Sequence, residues 1–379
     1  MPSSISNSDP ASLSCDVPQG AWGRPLILSL LLFALFVSVM EARLYLRGFV
    51  PTMEDTAVLW AMHRQRASDL GAQALILIGG SRIQLAADLN VLRQTTGLEP
   101  VQLAIDGSNF LPVLEDLASD PSVQGTVLVD YADHHLLGVH SGDPAYEYIR
   151  EYRHQLAERG YFRLTFAATE QWLGDHLHAR LRSYADGAKS LTSFWSRLIR
   201  RKPVPQYLVM DRDRARRADY SQVQMPEFYY RRVMRNLNAQ VPVTARMSHE
   251  DMQRELQQRV AEVAPMDGSM EQYLSGVRRV ADLAARIGEH GGAVKFMVMP
   301  SSGLVRMIEE KRFPRDRFWD RFSAQVSTPT LHFADVPALR DFTCPDGSHL
   351  DVRDRARFST ALARALGLAK NSDAAGVDR

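Results

Sequence analysis

The stretch ALILIGGSRIQLAADL, residues 74–89, decides the fold. Its first part, Ala74-Leu-Ile-Leu-Ile78, is a short apolar run with no polar face, which predicts a strand buried on both sides, as in a parallel sheet. Gly79-Gly80 ends the strand and lets the chain turn sharply. Ser81 opens a segment running to Thr96 with Ile83, Leu85, Leu89 and Leu92 at helical spacing, and Gly97 is its expected C-cap. The pattern repeats outward. Val101–Ile105 is a second strand, followed by Asp106-Gly107-Ser108-Asn109 and a helical stretch to Ala118. Thr126–Val129 is a third strand, ending at Asp130. Ala293–Met299 is a fourth, closing on Pro300, and Thr330–Phe333 a fifth. Asp351–Leu366 is a final amphipathic helix. Five short strands alternating with helices predict a three-layer, doubly wound, flavodoxin-like α/β domain with about five parallel strands, over residues 73–370.

The alternation breaks between strands three and four. Residues 138–245 are mixed, aromatic and basic, and are expected as a large helical insertion. Residues 197–235 hold eleven Lys/Arg against four Asp/Glu, which predicts a solvated basic face or a contact with anionic lipid or acidic polysaccharide. At the other end, Pro25–Met40 (PLILSLLLFALFVSVM) carries no charge. Residues 25–42 are expected to cross the bilayer once, near the lower limit of about 17 residues for a span. A cleaved signal peptide fits less well, since Met40 stands where a cleavage site before Ala42 would need a small residue. Residues 1–24 are read as a disordered cytoplasmic tail, 43–72 as a helical connector and 371–379 as a second tail. Arg24 before the span against Arg43 and Arg47 after it leaves orientation undecided by charge.

Composition narrows the class further. The chain has 379 residues, 45 Lys+Arg and 44 Asp+Glu, and a formal net charge of +1. That balance gives no case for nucleic acid as a partner. With only two cysteines, Cys15 and Cys344, neither a disulfide scaffold nor a Cys-rich zinc site fits. No metal or cofactor is called for. A single intact span would put the two cysteines on opposite sides.

Ligands of doubly wound sheets sit beyond the carboxyl ends of the strands, which singles out Gly79–Ser81, Asp106–Asn109, Asp130–His135, Pro300–Gly303 and Asp346–His349. A Ser that opens a helix after two glycines sits where backbone N–H groups and the helix dipole favour an oxyanion, although an ordinary N-cap reads the same way. Asp346-Gly-Ser-His349 adds a base and its orienter. Serine needs a base to become a nucleophile, and an Asp three residues back in a turn can steady the imidazole. Asp175-His-Leu-His178 repeats the spacing but falls in the insertion. His134-His135 could touch the site. A shared metal is not expected from adjacent histidines on extended chain. Cys344 lies nearby with nothing to lower its pKa.

Ser81 after the first strand and Asp-x-x-His before the last helix resemble the SGNH (GDSL-type) hydrolase superfamily. Gly79-Gly80-Ser81-Arg82 stands for its first block, Gly107 for its second and Asp346/His349 for its fifth. The resemblance covers roughly residues 73–136 and 293–366. The family's Gly-x-Asn-Asp block is absent, and its place reads Asp130-Tyr-Ala-Asp133. The layout is similar to membrane-anchored branches that resemble the acyl-transfer proteins of alginate acetylation and teichoic-acid D-alanylation. The resemblance implies a serine esterase or O-acyltransferase acting on extracytoplasmic glycan or a cell-envelope polymer. It implies a single-pass protein of a bacterial inner membrane with its catalytic domain in the periplasm, working beside a multi-span membrane acyltransferase. It implies Ser81 as nucleophile, His349 as base and Asp346 as orienter. Gly107 and Asn109 would serve the oxyanion, and Arg82 and Ser302 the substrate. Two alternatives stay open: a non-catalytic SGNH-like scaffold that binds polysaccharide or the membrane acyltransferase, and an unrelated flavodoxin-like domain whose Gly79-Gly80-Ser81 cradles phosphate, with Ser81 and His349 apart.

Overall fold

A computed structural model of the chain describes residues 22–157, 173–174, 176–184, 206–238, 247–266 and 270–370. The expected tails before residue 22 and after 370, Cys15, Asp175 and residues 197–205 of the basic stretch lie outside them.

Five parallel strands, β1 (Ala74–Ile78), β2 (Glu99–Gln102), β3 (Thr126–Tyr131), β6 (Ala293–Val298) and β7 (Thr330–His332), form one sheet in the order β2-β1-β3-β6-β7. A small antiparallel pair, β4 (Leu208–Met210) and β5 (Arg216–Ala218), stands apart from it. Every residue of β1 is buried. Ala74, Ile76 and Ile78 join one apolar core, and Leu75 and Leu77 join the other, because successive side chains of a strand point to opposite faces. This two-sided burial is why the strand reads as an unbroken apolar run.

The helices that build the fold and the site, all among the described residues, are α1 (Gly23–Leu46), α2 (Ala57–Leu70), α3 (Ser81–Ala86), α4 (Leu89–Thr96), α5 (Leu111–Ala118), α6 (Pro144–Ala157), α7 (Glu227–Leu237), α8 (His249–Ala261), α9 (Met270–Glu289), α10 (Gly303–Arg312), α11 (Trp319–Gln325), α12 (Pro337–Arg340) and α13 (Arg355–Ala365). On one face α2, α5, α9 and α11 bury Trp60, Leu114, Val277 and Phe322. On the other, α3, α4 and α13 bury Ile83, Leu92 and Phe358.

The helix expected over Ser81–Thr96 is two helices. Asp88 interrupts it by capping α4, accepting from the N–H groups of Asn90 and Val91 at 3.1 Å each, while its own N–H donates to Ser359 Oγ. Gly97 is the left-handed C-cap, at φ 75°. The second strand lies a little earlier than expected, and β3 runs on through Tyr131. The connector differs more. It breaks after α1, where Gly48 has φ 81°, and resumes as α2, whose Leu59, Trp60, Ala61, Arg64 and Ala67 are buried. Trp60 Nε1 donates to the Leu103 carbonyl at 2.9 Å. So α2 is a layer of the α/β unit rather than a stalk. Its core-facing positions show the helical spacing visible in the sequence.

The helix α1 is long and apolar enough to span a membrane, and almost none of it is covered by the rest of the chain. At 1.5 Å per residue, 24 residues reach about 36 Å, against about 30 Å of hydrocarbon.

Candidate active site

The chain reverses its direction of winding between β1 and β3, the point at whose carboxyl ends open α/β sheets hold their ligands. Ser81 stands just beyond the end of β1, in a turn that Gly79 makes possible. That residue has φ 134°, and a Cβ on it would lie 2.5 Å from Asp130 Cβ. Glycine therefore lets the β1–α3 turn press against the end of β3. Asp130 completes the turn: its carboxylate accepts from the N–H of Ile83 at 3.3 Å and from that of Gly80. Burial pushes the Asp130 carboxyl up to about 6, against the nearby charge of Arg82.

The loop after α12 brings in the other partners. It is pinned to the β6–α10 turn: Ser302 N–H donates to the Gly347 carbonyl at 2.9 Å, Ser302 Oγ accepts from Cys344 N–H at 2.9 Å, and Cys344 Sγ lies 3.3 Å from the Pro300 carbonyl. His349 Nε2 then sits 2.7 Å from Ser81 Oγ, and His349 Nδ1 sits 2.8 Å from Asp346 Oδ2. A carboxylate only accepts, so Nδ1 carries the proton and Nε2 is free to take one from the serine. Asp346 Oδ1 accepts the N–H groups of Ser348 and His349 at 2.9 and 2.8 Å. Burial works against the Asp346 charge. The hydrogen bond and charge of His349, together with Arg232, outweigh it and hold the carboxyl well below its ordinary range. Burial lowers the His349 pKa, against the pull of Asp346, so the imidazole is a neutral base at pH 7. The phosphate-cradle alternative needs Ser81 and His349 apart; they touch.

The structure does not bring every expected residue to this relay. Asn109 Nδ2 donates to the carbonyls of His135 and Gly138, at 2.9 and 3.4 Å, and its Oδ1 accepts from Leu111 N–H. Both amide hydrogens are spent on bracing a loop, which leaves none for an oxyanion. Gly107 has φ 72° and open space where a Cβ would stand, so its peptide is accessible. The neighbouring Asp106 carboxylate lies within electrostatic reach of the His349 ring, which places this loop close to the imidazole. Ser302 Oγ accepts from Cys344 N–H and so braces the His349 loop. Arg82 is ion-paired with Glu309. It lines a cavity of about 450 Å³ at the same sheet edge, whose walls include Ser301 and Trp319 but neither Ser81 nor His349.

Asp133 accepts from the hydroxyls of Tyr131 and Tyr273 at 2.9 and 3.2 Å, so the Asp130–Asp133 segment is internal bracing. The rings of His134 and His135 meet edge-on, with centroids 4.3 Å apart. Among the described residues no group of His, Cys, Asp or Glu could hold a metal ion. Burial pushes the Cys344 thiol up to about 12.

The basic stretch is the largest correction. Arg214 is fully buried, held by Asp55 at 2.9 and 3.0 Å and by the carbonyls of Gln102 and Ala104. Arg216 pairs with Asp106 at 2.8 Å. Arg232 donates to Asp346 at 3.1 Å, and the Tyr220 hydroxyl is hydrogen-bonded to the same carboxylate. Arg214 and Arg232 are therefore internal wiring rather than part of a solvated face, while Arg212, Arg231 and Arg235 stay exposed. The only signal in the sequence was the excess of arginines, which does not name partners.

No family model matches the chain, and no curated protein is similar enough to it to serve as a relative.

Proposed function

We propose that the chain is a membrane-anchored serine esterase or O-acyltransferase of SGNH type, acting on extracytoplasmic glycan or a cell-envelope polymer. The observation that carries this reading is the unbroken relay from Ser81 Oγ through His349 to Asp346, at 2.7 and 2.8 Å. In the first half-reaction Ser81 Oγ attacks an acyl carbonyl and its proton passes to His349 Nε2. The bond to the leaving oxygen then breaks, and His349 returns the proton to that oxygen. The acyl group is left as an ester on Ser81. In the second half-reaction water or a sugar hydroxyl gives its proton to His349 and attacks the ester, and the proton ends on Ser81. The N–H groups of Ser81 and Gly107 are assigned to the developing oxyanion. Each donor of this kind contributes about 3–4 kcal/mol of transition-state stabilisation. We place the domain in the periplasm of a bacterial inner membrane, held there by α1 beside a multi-span acyltransferase. That placement draws on the apolar length of α1 and on the resemblance of the layout.

A fluorophosphonate probe tests the nucleophile. It should label the wild-type chain at Ser81 and leave Ser81→Ala and His349→Ala unlabelled. Turnover of a chromogenic acetyl ester should fall by at least about 10³-fold in either variant. The commitments of Asn109 favour a second reading, a non-catalytic scaffold that binds polysaccharide or the acyltransferase. Wild-type chain that is folded but inert to the probe, with equal ester turnover in all three proteins, would decide for the scaffold.

A further inference from the structure

Asp346 is fully buried, and both its oxygens are saturated. Besides the two backbone N–H groups on Oδ1, Oδ2 takes His349 Nδ1–H at 2.8 Å and Arg232 Nε–H at 3.1 Å, with Arg232 Nη2 at 3.0 Å. Arg232 comes from the insertion, 114 residues before Asp346. The guanidinium is delivered by a packed element. Tyr230, Val233 and Met234 of α7 lie in one apolar cluster with Leu256 of α8 and Val305 of α10, and Asn236 Nδ2 donates to the Arg232 carbonyl at 2.9 Å. Arg232 Nη2 also comes within 3.4 Å of His349 Nδ1. Both atoms carry hydrogens, so that contact is electrostatic and repels the protonated ring.

We infer that Arg232 is a positioning residue of the triad: it clamps the Asp346 carboxylate in register with His349 and restrains the base, so that the insertion is part of the catalytic apparatus. This rests on the acyl-transfer reading of Ser81, His349 and Asp346. Two N–H groups on one oxygen fix the rotation of the carboxylate. A cation beside the imidazole opposes imidazolium formation, while Asp346 favours it. The other charged groups within reach of the ring are Arg82 and Asp106, the latter already paired with Arg216. Tyr220 bears on Asp346 from the same insertion.

The test uses the full chain in detergent, with Arg232→Met, Arg232→Gln and Arg232→Lys. Gln removes the charge but keeps an N–H donor, so it reports if Met fails to fold. The first readout is the NMR titration of the His349 imidazole, which does not depend on turnover. It should move to higher pH in Met and Gln and stay near wild type in Lys. The second is the pH dependence of fluorophosphonate labelling at Ser81. Its acid limb should move the same way, and the plateau rate should fall about tenfold in Met. Lys should recover the limb but not the plateau, because an ammonium lacks the two-point hold. An unmoved His349 titration in folded Met or Gln variants overturns the inference. If the titration moves but wild type is never labelled, the clamp stands and the acyl-transfer reading fails.

Discussion

Gly79→Ala separates steric from purely conformational cost at the nucleophile turn, with Gly107→Ala as its control. Both glycines have positive φ, 134° and 72°. A left-handed backbone costs an L-residue about 1–2 kcal/mol. At Gly107 that is nearly the whole cost, since an added Cβ meets nothing within 4 Å. At Gly79 the same Cβ would lie 2.5 Å from Asp130 Cβ, 3.1 Å from its carbonyl oxygen and 3.2 Å from its Cα. These are atoms of a central strand, which cannot swing away as a flexible side chain would. Overpacking of this kind adds about 1–3 kcal/mol. The expected loss is therefore about 4 kcal/mol for Gly79→Ala and about 1 kcal/mol for Gly107→Ala. Urea unfolding of the detergent-solubilised chain, followed through the buried Trp60 and Trp319, measures both. Because Ser81 lies two residues downstream, Gly79→Ala should also lose fluorophosphonate labelling under conditions where it is still folded. Equal unfolding midpoints for the two variants would refute the reasoning.

Three further outcomes are expected. Arg214→Met should lower stability by about 3–5 kcal/mol, because it strands Asp55 and two buried carbonyls; a loss under about 1 kcal/mol in thermal unfolding would show the pair to be dispensable. Burial raises the Asp133 carboxyl from 3.8 to about 6, so its contribution to stability is full below pH 3.8 and is lost as pH rises through about 6. The gap corresponds to about 3 kcal/mol in all, of which about 1.4 kcal/mol remains at pH 5 and almost none at pH 8, so Asp133→Asn should narrow the difference in stability between pH 5 and pH 8 by about 1.4 kcal/mol; the same difference in both proteins rejects the assignment. Burial lowers the His349 pKa, so wild-type labelling at Ser81 should persist below pH 6.5 and fail only in more acid solution. A midpoint at or above 6.5 would show that the ring is not the buried neutral base described.

The amino-acid sequence by itself determined the local architecture. An apolar run of only five residues that ends in Gly79-Gly80 is too short for a buried helix and reads as a strand covered on both sides, with the glycines as its sharp exit. The three-residue spacing of Asp346 and His349 let the carboxylate fold back onto the imidazole within one turn. The apolar length of Pro25–Met40 was equally plain. These signals were legible because each depends on neighbours in the chain.

Tertiary structure decided the rest. The meeting of Ser81 with His349 spans 268 residues and depends on the reversal of winding at β1 and β3 and on the pinning of the His349 loop by Ser302. The fate of Asn109 depended on where the carbonyls of His135 and Gly138 came to lie. Arg214 and Arg232 look in the sequence like any other arginines of a basic stretch. A guanidinium takes whatever carboxylate or carbonyl the packing presents, and those partners lie more than a hundred residues away. Spacing along the chain encodes periodicity and turns; only the packed fold determines which buried charge faces which.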